Sequence, residues 1–152
     1  MIFIFVRHGH YNKEGVDIKD RPKIPLTDHG IDAAIEAGEW IAKMGVRPDV
    51  IVRTLTKRTE ETADLVRESL SSKPPIMKVA AGFKDKAGLE KMLAGLKKNV
   101  VVFVGHHTQQ NTCIRELGGG VSLPQKARAS VLMYEKREDG SWELIGHHVG
   151  LV

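Results

Sequence analysis

Three stretches of this chain carry residue types suited to handling a phosphoryl group: Arg7-His8-Gly9-His10, Arg58, and Gly105-His106-His107. Arginine's planar fork pairs with phosphate oxygens in bidentate fashion, and two such forks can neutralise the charge spread over a transferring phosphoryl group. A neutral imidazole held among such cations can attack phosphorus, because the surrounding positive charge keeps it unprotonated near neutral pH. His8 is the expected nucleophile: it follows an apolar run directly, and Gly9 after it lets the backbone turn tightly. His106, also preceded by a glycine, is expected to face it across the phosphate as a hydrogen-bond donor. Arg7, His8, Arg58 and His106 are therefore the catalytic candidates, with Gly9, His10 and His107 expected to touch substrate.

Residues so far apart in sequence can meet only if the fold gathers them. Apolar runs rich in β-branched residues at Ile2 to Val6, Val50 to Val52 and Val100 to Val104 suit strands buried on both faces, the centre of a parallel sheet. Thr27-Asp28 reads as the cap and acidic first turn of a helix whose apolar positions are Ile31, Ile35, Gly38 and Ile41 or Ala42. Further helices are expected from about Thr56 to Leu70, Gly88 to Leu96, and Thr108 to Leu117. Ser71 to Pro75 reads as a loop and Ile76 to Val79 as a short strand; Ala129 to Tyr134 and Trp142 to His147 read as a hairpin turning at Asp139-Gly140. The alternation predicts the α/β class, a three-layer α/β/α sandwich with a mostly parallel central sheet. Ligands of such sheets bind beyond the carboxyl ends of the strands, where Arg7-His8, Arg53-Thr54 and Gly105-His106 would lie.

Composition narrows the function classes. At 152 residues and 41% hydrophobic content the chain fits one domain over residues 1–152. The apolar run from Met1 to Val6 is far short of the ~20 residues of a membrane span, so a soluble, cytoplasmic protein without membrane partners is expected. The single Cys113 excludes a disulfide within the chain. The net charge of +4 does not form a nucleic-acid surface: Lys57-Arg58 is followed by Glu60-Glu61, and Lys136-Arg137 by Glu138-Asp139. His8 with His10 and His106 with His107 could supply imidazoles to zinc, but adjacent arginines repel a cation, and catalytic zinc sites of hydrolases typically recruit carboxylates. No metal and no other cofactor is expected, and the oligomeric state is left open.

On these residues the chain resembles the histidine phosphatase superfamily, with its phosphoglycerate mutase-like fold, over essentially its whole length. The likeness rests on Ile4-Phe5-Val6-Arg7-His8-Gly9, Leu26-Thr27-Asp28-His29-Gly30, Arg58 within Leu55-Thr56-Lys57-Arg58-Thr59-Glu60-Glu61-Thr62-Ala63, and Val104-Gly105-His106. The resemblance implies that Arg7, Arg58, His8 and His106 form the phosphate pocket and that His8 becomes phosphorylated. The short stretch between Leu70 and Val100 looks like the compact phosphohistidine phosphatase branch. The run Arg7 to Tyr11, with Lys19-Asp20-Arg21 and Leu26-Thr27, also looks like the branch that includes a Ser/Thr-specific phosphoprotein phosphatase. The chain departs from the family in three ways. His10 stands where a carboxylate, amide or small residue is usual, Thr54 replaces a common serine, and the family's glutamate acid has no clear counterpart between Ala80 and Glu90, where Asp85 is the candidate general acid. The implied activity is a metal-independent phosphatase acting on phosphohistidine or other phosphorylated protein side chains. Small phosphate esters, handled by a phosphomonoesterase or mutase, are the alternative substrates, and a non-catalytic phosphate-recognition domain is the alternative class.

Overall fold

In the computed structural model, which describes residues 1–150, six strands form one sheet in the order β3-β2-β4-β1-β5-β6. The strands are β1 (Ile2–Arg7), β2 (Val50–Arg53), β3 (Ile76–Lys78), β4 (Val100–Gly105), β5 (Val131–Lys136) and β6 (Trp142–His148). β1 pairs in parallel with β4, and β2 in parallel with both β4 and β3, while β5 runs antiparallel between β1 and β6. The sheet is therefore mostly parallel, as the continuous apolar runs predict.

Side chains of successive residues leave opposite faces of a strand, so the sheet feeds two cores. Ile4, Val6, Ile51, Val102 and Val104 pack with α1 (Asp28–Lys43) and α2 (Lys57–Ser69) on one side. Phe3, Phe5, Val52, Val101 and Phe103 pack with α3 (Lys86–Leu96) and with Cys113 and Leu117 on the other. The last helix begins as α4 (His107–Thr112) and widens into a π-helical turn over Cys113–Leu117 before the glycines at 118–120. The result is the expected three-layer α/β/α sandwich.

Two sequence expectations need correction, and one element lies outside them. The buried face of α1 consists of Ala33, Ala34, Ala37, Gly38 and Ile41, with Ile31 and Ile35 only half-buried at its flank. The reason is close packing: a Cβ on Gly38 would lie 2.8 Å from the Cβ of Ser69 and 3.0 Å from the Cα of Val66, so α1 reaches α2 only through small residues. The hairpin's first arm starts at Val131 rather than Ala129, because Ala129 turns at φ +60°. A 3-10 helix over Ile18–Lys23, with no periodic apolar signal, was not expected. No helix among the described residues is long and apolar enough to cross a membrane.

Gly38→Ala should lower stability by about 1–3 kcal/mol, the cost of overpacking a close contact. Gly95→Ala, on α3 with nothing within 4 Å of its would-be Cβ, should instead raise stability by roughly 0.5–1 kcal/mol. Urea unfolding midpoints of the two variants test this, and equal shifts would contradict the packing described.

Candidate functional site

The sheet holds His8 before any side chain acts. Its backbone N–H donates to the Gly105 carbonyl at 2.9 Å, and its own carbonyl accepts from the Ala129 N–H at 3.1 Å. The residue is thus gripped from both flanks at the end of β1. Gly9 then donates its N–H to Thr62 Oγ1 on α2 at 2.9 Å. A Cβ on Gly9 would meet the Gly30 carbonyl oxygen at 2.7 Å, and one on Gly30 would meet the His10 carbonyl oxygen at 2.2 Å. These two glycines let the first turn of α1 close onto the loop after β1, which explains why the Leu26 to Gly30 stretch matters without itself reaching the site.

A cavity of about 560 Å³ opens at the carboxyl ends of β1 and β4, lined by Arg7, His8, Arg58, His106 and His107, and also by Tyr11, Lys13, Lys126 and Arg128. Arg7 and His8 are buried, at 6% and 5% exposure. The His8 and His106 rings lie 5.4 Å apart, centroid to centroid. His8 Nδ1 sits 2.8 Å from the Gly9 carbonyl oxygen. Since a carbonyl can only accept, Nδ1 carries the proton and the lone pair of the neutral ring resides on Nε2. Burial, then the charges of Arg58, His106 and Arg7, hold His8 well below the usual histidine range, against the Gly9 hydrogen bond, which acts in the opposite sense. Burial, Arg58 and Arg7 push His106 down to about 4, and its Nε2 lies 2.8 Å from Thr54 Oγ1, which orients the ring. His107 is also lowered, by burial and Arg7.

The arginines have hydrogen-bonding capacity to spare. Arg7 reaches the Gln125 carbonyl, and Arg58 the Arg21 carbonyl at 3.4 Å, but the Nε atoms of Arg7, Arg58 and Arg128 are buried without a partner. Among the described residues none of the three forms an ion pair, and no carboxylate lines the cavity. Guanidinium groups with buried, unpartnered Nε atoms and no counter-ion among the described residues, gathered around one cavity, make an anion-binding site. No group of three or more His, Cys, Asp or Glu side chains among the described residues is placed to share a metal ion.

Of the sequence candidates, Arg7, His8, Arg58, His106 and His107 meet at this cavity; Gly9, His10 and Asp85 do not line it. Gly9 has committed its N–H to Thr62 and serves close packing. The His10 ring turns toward α1, its Nδ1 2.8 Å from Thr27 Oγ1, the capping residue of that helix. Asp85 caps α3, accepting from the Gly88 N–H at 2.7 Å, and lies on a separate groove with Val79, Phe83 and Met92. Its carboxylate is therefore engaged as a helix cap, away from the lining of this cavity. Sequence reading also missed Tyr11, whose ring meets His8 edge-on at 5.4 Å and lies 4.3 Å beneath the Arg58 guanidinium, and the further lining cations Lys13, Lys126 and Arg128. Tyr11 follows the Arg7 to His10 run directly, and that adjacency was the available signal.

A model of the histidine phosphatase superfamily (branch 1) matches residues 3–81, a stretch holding Arg7, His8 and Arg58. Several solved structures share the fold. The protein histidine phosphatase SixA complexed with tungstate is 17% identical, with 98% of this chain and 97% of that one covered and a TM-score of 0.77. A candidate phosphohistidine phosphatase SixA from Agrobacterium tumefaciens is 18% identical, with 97% of each chain covered and a TM-score of 0.75. A phosphoserine phosphatase variant from Entamoeba histolytica in complex with phosphoserine is 15% identical, with 96% and 95% covered and a TM-score of 0.67. No curated protein sequence matches the chain.

The depressed His106 pKa has a stability consequence. The unfolded chain takes up this proton near pH 6.5 and the folded chain only near 4, so the stability present above 6.5 is lost as pH falls between these values. The loss from His106 is on the order of 3 kcal/mol. Urea unfolding at pH 7 and pH 4.5 should show a smaller pH dependence for His106→Asn than for wild type. Identical dependence would mean that His106 is not held neutral by its surroundings.

Proposed function

The chain belongs to the histidine phosphatase superfamily, and from that premise we propose that this phosphatase transfers the phosphoryl group to Nε2 of His8, without a metal ion, and acts on phosphohistidine or other phosphorylated protein side chains. The observation that carries the reading is a neutral, rigidly held imidazole beside unpaired arginines in a cavity lined by no carboxylate. That the SixA structure is a complex with tungstate, itself an oxyanion, supports an oxyanion as the ligand.

In this reading Arg7 and Arg58 hold the phosphoryl oxygens, while His106, its ring fixed by Thr54, and His107 line the same space. His8 Nε2 attacks in line as the bond from phosphorus to the leaving group breaks. For a phosphohistidine substrate with its distal nitrogen protonated, the departing imidazole leaves neutral and needs no acid from the protein. Phosphorylated His8 then carries positive charge on its ring, and its Nδ1–H is held by the Gly9 carbonyl. Water attacks the phosphorus, the bond to Nε2 breaks, His8 regains its lone pair, and dihydrogen phosphate leaves with both protons of the water. An alkoxide leaving group, by contrast, demands a proton that no carboxylate in this cavity supplies. That asymmetry favours phosphohistidine over alkyl phosphates.

Rapid quenching with labelled substrate should trap an acid-labile, base-stable phosphoenzyme in wild type and none in His8→Ala; equal label in the variant would defeat the assignment. Arg58→Ala should lower kcat/KM by at least ~100-fold, the scale of losing one donor to a transition-state oxyanion. Across substrates of graded leaving-group pKa, kcat/KM should fall steeply and alike in wild type and Asp85→Asn. A flat dependence in wild type would reveal a working general acid and favour alkyl phosphates instead.

A further inference from the structure

The lining of the cavity carries more positive charge than a single phosphoryl group requires. Beyond Arg7 and Arg58, the lining includes Arg128, Lys126 and Lys13. The volume of about 560 Å³ lies in the ~300–1,000 Å³ range of sites that enclose whole small ligands, so there is room beside the phosphoryl position.

Arg128 is the centre of this excess. Its Nε is buried with no hydrogen-bond partner, and among the described residues it has no carboxylate partner. It is near enough to Arg7 to be, after burial, a cause of that guanidinium's fall to about 10. Two cations in such proximity repel unless anions occupy the space they share.

The segment bearing Arg128 is built rather than loose. Ala129 sits at φ +60°, a region a residue with a Cβ rarely adopts and keeps only when its surroundings over-determine it. Here they do. The Ala129 N–H donates to the His8 carbonyl, the Arg128 N–H to the Lys126 carbonyl at 2.9 Å, and the Ala127 N–H to the Pro124 carbonyl at 2.9 Å. Ser130 Oγ donates to the Ala127 carbonyl at 2.6 Å and accepts from the Gly150 N–H at 2.8 Å. Through the Ala129–His8 bond, the strained turn holds the Arg128 backbone in register with the nucleophile.

We propose that Arg128, flanked by Lys126 and Lys13, forms a subsite for a second anion, so that preferred substrates carry a carboxylate or phosphate beside the phosphoryl group. The proposal rests on the reading that Arg7 and Arg58 receive the phosphoryl group. The second anion has two sources, an acidic side chain next to a phosphorylated residue or the carboxylate of a small phosphate ester.

Binding tests the subsite independently of turnover. Calorimetry would compare phenylphosphonate with its ortho-, meta- and para-carboxylated forms on wild type, Arg128→Gln and Lys126→Gln. At least one carboxylated form should bind wild type ten-fold or more tightly than the parent; Arg128→Gln should bring that ratio close to one, and Lys126→Gln, at an exposed position, should reduce it. Equal binding of all four ligands by wild type, or a ratio that survives in Arg128→Gln, overturns the proposal. Phosphohistidine peptides with Glu or Gln at each flanking position distinguish the sources: a Glu preference lost in Arg128→Gln assigns the anion to a phosphoprotein, and its absence alongside the phosphonate effect assigns it to a small ester. Turnover of 4-nitrophenyl phosphate by wild type is read in parallel. Its absence with the binding ratio intact would sink the phosphatase reading and leave the subsite standing.

Discussion

Positive charge without a counter-ion governs this molecule. Arg7, Arg58 and Arg128 meet at one cavity; among the described residues each has a buried Nε without a partner, and no carboxylate lines the space. An acid placed there would neutralise the guanidinium groups and lift His8 toward its ordinary pKa, weakening anion affinity and protonating the imidazole at once. The same absence removes the proton that a poor leaving group would need. In the proposed reading, affinity for an oxyanion and selectivity for good leaving groups both follow from this arrangement, while burial, together with the arginines, keeps the His8 ring neutral.

Such an arrangement costs stability, and the frame around it is correspondingly tight. The backbone at His8 is hydrogen-bonded to the segments on either side of β1. Polar demand behind the cavity is met by neutral hydroxyls. Thr62 accepts from Gly9 and donates to the Arg58 carbonyl at 2.7 Å, while Thr59 donates to the Thr54 carbonyl at 2.8 Å and Thr54 meets His106. Hydroxyls satisfy buried backbone groups without adding charge, and so leave the electrostatics of the cavity to the arginines. The close approach of α1 to α2 through Ala33, Ala37 and Gly38 belongs to the same economy of space, since it draws α2, which carries Arg58, against the sheet.

Tyr11 and the 3-10 segment add a lateral support. The Tyr11 ring lies against both His8 and the Arg58 guanidinium, and the Arg21 carbonyl accepts from Arg58. A guanidinium stacked on an aromatic face and tethered at one nitrogen keeps its orientation while leaving other donors for an incoming anion.

Much of this was legible in the sequence, because it depends on local order. Buried central strands require uninterrupted apolar residues, so β1, β2 and β4 announced themselves, and residues that follow such runs in a parallel sheet must emerge on one rim. Arg7, His8 and His106 were findable for that reason, and Arg58, the second residue of the helix after β2, through the family-like stretch from Leu55 to Ala63 around it. What depends on distant neighbours was not findable. The core face of α1 is made of small residues, which carry little periodic signal and acquire meaning only against Ser69 and Val66. His10 and Asp85 looked chemical by type, yet each is occupied at a helix terminus, and a side chain's partner cannot be read from its own position. Arg128 sits in an aperiodic loop. Its place at the cavity is decided by the backbone bond from Ala129 to His8, across more than a hundred residues of chain, and among the described residues no carboxylate lines that cavity, a property of the assembled volume and not of any segment.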